Sequence, residues 1–184
     1  KRDWSSDDVL FRSETEGLVR TDATTISLTD AGVSLAISVV RKHRLAERFI
    51  TDVLGLSWAT AHREAGKWEH VMSDEIEGAM VRLLGNPTTC PHGNPIPGSG
   101  HVSGASRPLS DVREGTEFTV TRIPETLEFT PGVLDFLETS QLLPGRRATV
   151  TATNADGSVD VAIDGRALTV GSYESSRLLV AVAE

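Results

Sequence analysis

The chain has 184 residues, enough for one large domain or two small ones, with 39% hydrophobic and 24% charged side chains, an ordinary globular composition. No apolar run approaches the ~18 residues that cross a bilayer, and the amino-terminal segment lacks the apolar stretch of a secretory signal. A single cysteine, Cys90, excludes an internal disulfide framework, so a cytoplasmic protein without a membrane partner is expected. The net charge of −8 argues against a broad nucleic-acid surface, although the charge is uneven. Residues 1–60 hold 8 basic and 9 acidic side chains, including the dense group Arg41, Lys42, Arg44 and Arg48, whereas residues 61–184 hold 10 and 17.

Residues 1–15 are polar and weakly patterned, and no element is assigned to them. Two short runs, 17–20 and 25–28, flank the turn 21–24 and predict a β-hairpin. Thr29 is placed to cap a helix of about 25 residues that ends at Gly55. Ser57 caps a second helix over 58–72, and Ser73 a third that stops at Gly85. The proline- and glycine-rich segment 86–104 then reads as loop and linker. From residue 109 the period changes to two, giving strands over 117–123, 147–153, 158–163, 166–170 and 177–182. The stretches 154–157 and 164–165 supply turn residues, and a short helix falls near 131–139. Five short strands predict a small barrel, closed to protect its edges.

The chemistry-bearing residues lie on the first two long helices. His43 and Glu47 stand at i and i+4 and share a face. His62, Gly66, Glu69 and His70 follow at i, i+4, i+7 and i+8 on the next helix. His62 and Glu69 are then roughly 10 Å apart along the axis, which suits two cations and not one. A His–Glu pair at this spacing is ordinarily a surface ion pair. The clustering of three of five histidines with two glutamates on consecutive helices is what points to metal. Imidazole and carboxylate together suit Fe(II), Mn(II) or Zn(II). Glu125 and Glu128, taken alone, read as solvated loop charges.

The segments RKHRLAER (41–48), WEHVMSDE (68–75) and GNPTTCPHGNPIPG (85–98) closely resemble the iron-dependent branch of the diphtheria toxin repressor family, and the similarity runs without gaps from about Leu28 to Gly98. The resemblance implies an α+β protein of three parts. These are a winged-helix remnant (1–30, wing about 17–28), a helical metal-binding and dimerisation domain (31–97) and, after a linker (98–108), an SH3-like β-barrel (109–184). It places an ancillary metal site on His43, Glu47 and His62, completed by Glu125 and Glu128. Position 128 is usually glutamine in the family, so Glu128 adds an anionic oxygen. The primary, regulatory site falls on Glu69, His70 and a cysteine position that is Gly66 here and offers only a backbone carbonyl. Losing that thiolate disfavours soft metals, and Cys90, twenty residues beyond His70 in the loop, does not restore it.

The implied function is an Fe(II)- or Mn(II)-dependent transcriptional repressor, not an enzyme, that dimerises and binds operator DNA. The dimer contact is expected from the apolar side of helix 74–84 with Phe49 and Val53. The family carries a helix-turn-helix ahead of the wing. Only residues 1–15 stand there, so a break in the chain is expected among them. Two other readings use the same ligands: a metal-binding module without DNA control, and a dinuclear metallohydrolase, which would need an open coordination position and a general base.

Overall fold

The computed structural model describes residues 6–182. Its first element is a difference from the sequence expectation, because residues 6–15 form a continuous helix, α1 (Ser6–Thr15). The break expected among residues 1–15 is therefore not found between Ser6 and Thr15; residues 1–5 lie outside the described residues. One apolar triplet, Val9 to Phe11, gives no helical period, and Phe11 remains exposed, so the pattern carried no signal. The hairpin follows as β1 (Val19–Asp22) and β2 (Thr25–Leu28), paired antiparallel from Val19↔Leu28 to Asp22↔Thr25.

Thr29 caps α2 (Asp30–Asp52), its side chain accepting a hydrogen bond from the Gly32 amide at 3.1 Å. Its hydroxyl also donates to the Gly17 carbonyl at 2.6 Å, which fixes the hairpin on the helix start. Gly32 is required there, since a Cβ would collide with the Leu18 carbonyl oxygen. Gly55, at φ 68°, follows the end of α2. Ser57 and Ser73 cap α3 (Trp58–Trp68) and α4 (Asp74–Leu83), each accepting from the amide three residues on. Leu45, Ala46, Ile50, Ala61 and Ala65 are buried where these helices pack.

The segment after α4 is ordered as a strap across α2. Arg41, Arg44 and Arg48, spaced three and four apart, share one face of α2. Their guanidiniums donate to the carbonyls of Pro97 (2.6 Å), Pro95 and Thr89 (3.2 Å). Arg41 also pairs with Glu77 at 2.5 Å, and Lys42 with Asp74 at 2.9 Å. The strap's far side meets the sheet unit, where the Ile123 amide donates to His92 O at 2.8 Å and Asn94 Nδ2 donates to Ile123 O at 2.8 Å. Gly93, at φ 83°, lies so close that a Cβ would strike the Thr121 carbonyl oxygen.

The strands are β3 (Arg107–Pro108), β4 (Glu117–Arg122), β5 (Arg147–Thr153), β6 (Val159–Ile163), β7 (Arg166–Val170) and β8 (Leu179–Val182). They form one antiparallel sheet in the order β3-β8-β4-β5-β6-β7. The expected closed barrel is not what the sheet forms: β3 and β7 remain its edges among the described residues. The edge strand β3 is two residues long and ends in Pro108, which has no amide to extend a ladder. A two-residue turn with Asp164 and Gly165 at positive φ joins β6 to β7, as the sequence indicated. Two short helices, α5 (Glu125–Glu128) and α6 (Val133–Thr139), follow β4, and α7 (Ser172–Ser175) precedes β8. Apolar residues of α5 and α6 join the strands in one core with Phe118, Val150, Val161 and Leu178. Trp58 of α3 enters that same core, and its amide donates to Glu138 at 3.1 Å, so the helical and sheet parts share packing.

Candidate metal centre

His43 and Glu47 lie one turn apart on α2, and α3 brings His62 against them. His43 Nε2 is 3.1 Å from Glu47 Oε1 and 3.3 Å from His62 Nδ1, and His62 Nδ1 is 2.8 Å from the same carboxylate oxygen. Three donor atoms so close together could supply one face of a coordination sphere of ~2.1 Å bonds. His43 Nδ1 meets Glu69 Oε2. A carboxylate on one ring nitrogen holds the proton there and leaves Nε2 free to ligate, the usual partner arrangement of metal-bound histidine.

Glu128 approaches from the sheet side. The family comparison in the sequence placed it here, and α5 delivers it as a buried side chain, not the solvated loop charge its local sequence suggests. Its Oε2 is 3.6 Å from His62 Nδ1, and its Oε1 accepts from Asn94 at 2.6 Å. Glu125 lines the same pocket, with Val39, Val40 and Phe129, but its carboxylate pairs with Arg44 instead of joining the His43–Glu47–His62 triad. Glu69 stands between His43 and the exposed His70, 3.1 Å from His70 Nε2. Gly66 faces open space, with nothing within 4 Å of where a Cβ would sit.

Cys90 and His92 were absent from the sequence-derived site, and Cys90 was read as a loop residue without a part in it. The strap brings both beside Glu47, away from the Gly66–Glu69–His70 position. Cys90 and His92 are both fully buried, and with Glu47 they form a second group whose ligand atoms lie within 4.8 Å of one another. His92 Nδ1 is 3.1 Å from Glu128 Oε1 and 3.6 Å from Glu47 Oε1. Neither ring nitrogen is aligned for a hydrogen bond, and Glu47 Oε2 also has no partner. A loop has no period to reveal such a meeting. The available signal was local: the only cysteine and a histidine two residues apart, between prolines.

Glu47 and Glu128 are buried carboxylates whose ion-pair partners, among the described residues, are all imidazoles: His43, His62 and His92. Burying a carboxylate without compensating positive charge is costly. A protonated imidazole can supply such charge. Burial is the largest influence on His92 and lowers its pKa, but Cys90, Glu128 and Glu47 together outweigh it and leave it well above the ordinary value. His43 is raised in the same way, burial being outweighed by Glu47 and Glu69. Burial likewise opposes ionisation of Glu47, yet the three histidines hold its pKa well below the carboxylate range. Burial raises the Cys90 thiol. A divalent cation would replace the protons and supply the same positive charge to both carboxylates.

A helical metal-ligand unit followed by an antiparallel sheet unit is the organisation that the comparisons identify. Residues 29–98 match the family described as iron dependent repressor, metal binding and dimerisation domain, and residues 107–182 match the FeoA domain. The iron-dependent repressor IdeR of Mycobacterium tuberculosis is 39% identical over 167 residues, covering 84% of this chain and 72% of that protein. The diphtheria toxin repressor of Corynebacterium diphtheriae is 49% identical over 88 residues, covering 47% of this chain and 39% of that one. Among solved structures, a manganese-dependent transcriptional repressor in complex with manganese superposes with a TM-score of 0.80 at 32% identity, covering 97% of this chain and 83% of its own. The chain belongs to the iron-dependent repressor family.

Proposed function

We propose that the protein is a transcriptional repressor that senses Fe(II) or Mn(II) and, with the ion bound, grips operator DNA as a homodimer. The observation that carries this reading is the pair of buried carboxylates, Glu47 and Glu128, with only imidazoles to balance them. His43, Glu47, His62 and Glu128 would hold the ion, and the bound metal supplies a rigid positive tie between α2, α3 and α5. Glu69 would orient His43. The Glu69–His70 pair, with Gly66 contributing at most a carbonyl, would form the regulatory position only by meeting a ligand from the amino-terminal segment.

Residues 1–30 are read as part of a winged helix with the hairpin as its wing, 31–97 as the metal and dimer domain, 98–108 as linker and 109–184 as an opened SH3-like unit. Val53, Val71, Ile76 and Leu83 are exposed apolar side chains on the helical part, the supply expected of a self-complementary contact. Phe49 of the expected contact instead packs half-buried near Trp68, with ring centroids 6.2 Å apart. A metallohydrolase is disfavoured by the carboxylates themselves, because Glu47, Glu69 and Glu128 are each engaged with histidine and none is left as a general base.

The test is operator retardation by the full chain across Mn(II) and Fe(II) concentrations, with Glu47→Gln alongside. Metal-dependent binding that the substitution abolishes is the expected result. Binding indifferent to metal, or to Glu47→Gln, would overturn the reading.

A further inference from the structure

We propose that the groove between the linker and the outer face of β4 and β8 binds a small organic anion, whose carboxylate or phosphate head is held by Arg122. An irregularity of β4 puts that arginine there. Val120 pairs with Val180 and Arg122 with Leu179, so β4 advances two residues while β8 advances one. Strict alternation from the buried Phe118 and Val120 would send Arg122 into the core. The bulge turns it instead toward the groove that Thr119 and Thr121 line. Bulges of this kind re-aim side chains at functional positions.

The arginine arrives without a partner. Its Nε is buried and donates to nothing, and among the described residues no carboxylate pairs with its guanidinium. Buried donors are almost always paired in folded proteins, and the planar guanidinium matches carboxylate and phosphate oxygens. The cavity has a volume of about 440 Å³ and, in a chain with 26 acidic side chains, no Asp or Glu in its wall. His101, Ser103 and Ser106 of the linker and Thr119 of β4 line it with side chains that make no hydrogen bond among the described residues. The backbone amides of residues 101–105 are equally unpaired. Pro144, Leu179 and Ala181 add apolar wall. A few polar donors in a largely apolar cavity of this size make up a small-molecule site, and a wall free of acidic groups favours negative charge. Thr89 and Gly93 of the strap close the groove, so a ligand there braces the linker against both sheet and strap. No part of this site depends on a metal ion.

The test is titration of the full chain, freed of metal by a chelator and held at constant ionic strength with chloride, with phenyl phosphate and with phenylacetate. Two-dimensional amide NMR follows the binding. Saturable shifts centred on residues 101–105, Thr119 and Thr121 are expected with at least one probe, and the tighter of the two identifies the head group. Arg122→Gln should weaken binding about ten- to a hundredfold, the worth of a charged hydrogen bond. Arg122→Lys keeps the charge without the planar fork and should fall between the two. Arg166→Gln, on the exposed edge strand β7, should change nothing. Benzyl alcohol, which has the ring but no charge, should not bind. The proposal is overturned by the absence of saturable shifts, by shifts centred elsewhere, by binding that both Arg122 substitutions leave unchanged, or by equal binding of benzyl alcohol. The repressor reading is decided separately, by operator retardation with metal.

Discussion

Gly66 lies in the last turn of α3, inside the helix, with open space where a Cβ would be, and its backbone carries no positive φ. Glycine costs a helix interior about 1 kcal/mol relative to alanine. Gly66→Ala is therefore expected to stabilise the metal-free protein by about that amount, read as a higher urea midpoint at unchanged slope. At the other extreme stands Glu47, the one residue in both ligand groups. Outer residues around metal sites typically cost about 10–100-fold in affinity when replaced. Glu47→Gln should cost at least that much, measured by calorimetric titration with Mn(II). His43 and Glu47 were legible as a pair because helical spacing gathers residues onto a face, whereas the place of His62 beside them, on the next helix, came only from the family resemblance. Cys90 and His92 were not legible, because their place is set by the path of a loop against a helix they do not belong to.

Among the elements, the strap 86–98 has the most to lose from small changes. Gly93 combines a positive φ with a close approach to β4, and Gly93→Ala meets both penalties. Backbone strain of this kind costs of order 1–3 kcal/mol. The expected result is a destabilisation of that size in urea, opposite in sign to Gly66→Ala. Helices α2, α3 and α4 could be placed from their caps and glycine stops, and the central strands from their alternation and turns. What escaped was short: α1 lacks a periodic face, β3 has two residues, and α5 has four. Elements of that length are fixed by neighbours and leave little pattern of their own.

At the scale of the molecule, the proposed metal site would tie α2 and α3 of the helical part to α5 of the sheet part. A ligand that binds only the folded state raises stability by RT ln(1 + [L]/Kd), about 2.7 kcal/mol at a hundredfold excess over Kd. Thermal unfolding should therefore move upward with Mn(II) concentration, return to its starting point with a chelator, and stay flat in His43→Ala. The change of period after the linker marked the two parts of the chain, whereas the open edges of the sheet, where a closed barrel was expected, were not evident, since strand alternation does not say which edges pair. The arginine row of α2 has a consequence for how any DNA is held. Arg41, Arg44 and Arg48 form a dense basic group in the sequence, yet they are bound to strap carbonyls and carboxylates, and Lys42 is bound to Asp74. Each phosphate neutralised by a protein releases condensed counter-ions and steepens the loss of affinity with salt. These four cations contribute nothing to that release, so the salt sensitivity of operator binding reports on charges elsewhere in the protein, against a net charge of −8 that opposes the encounter.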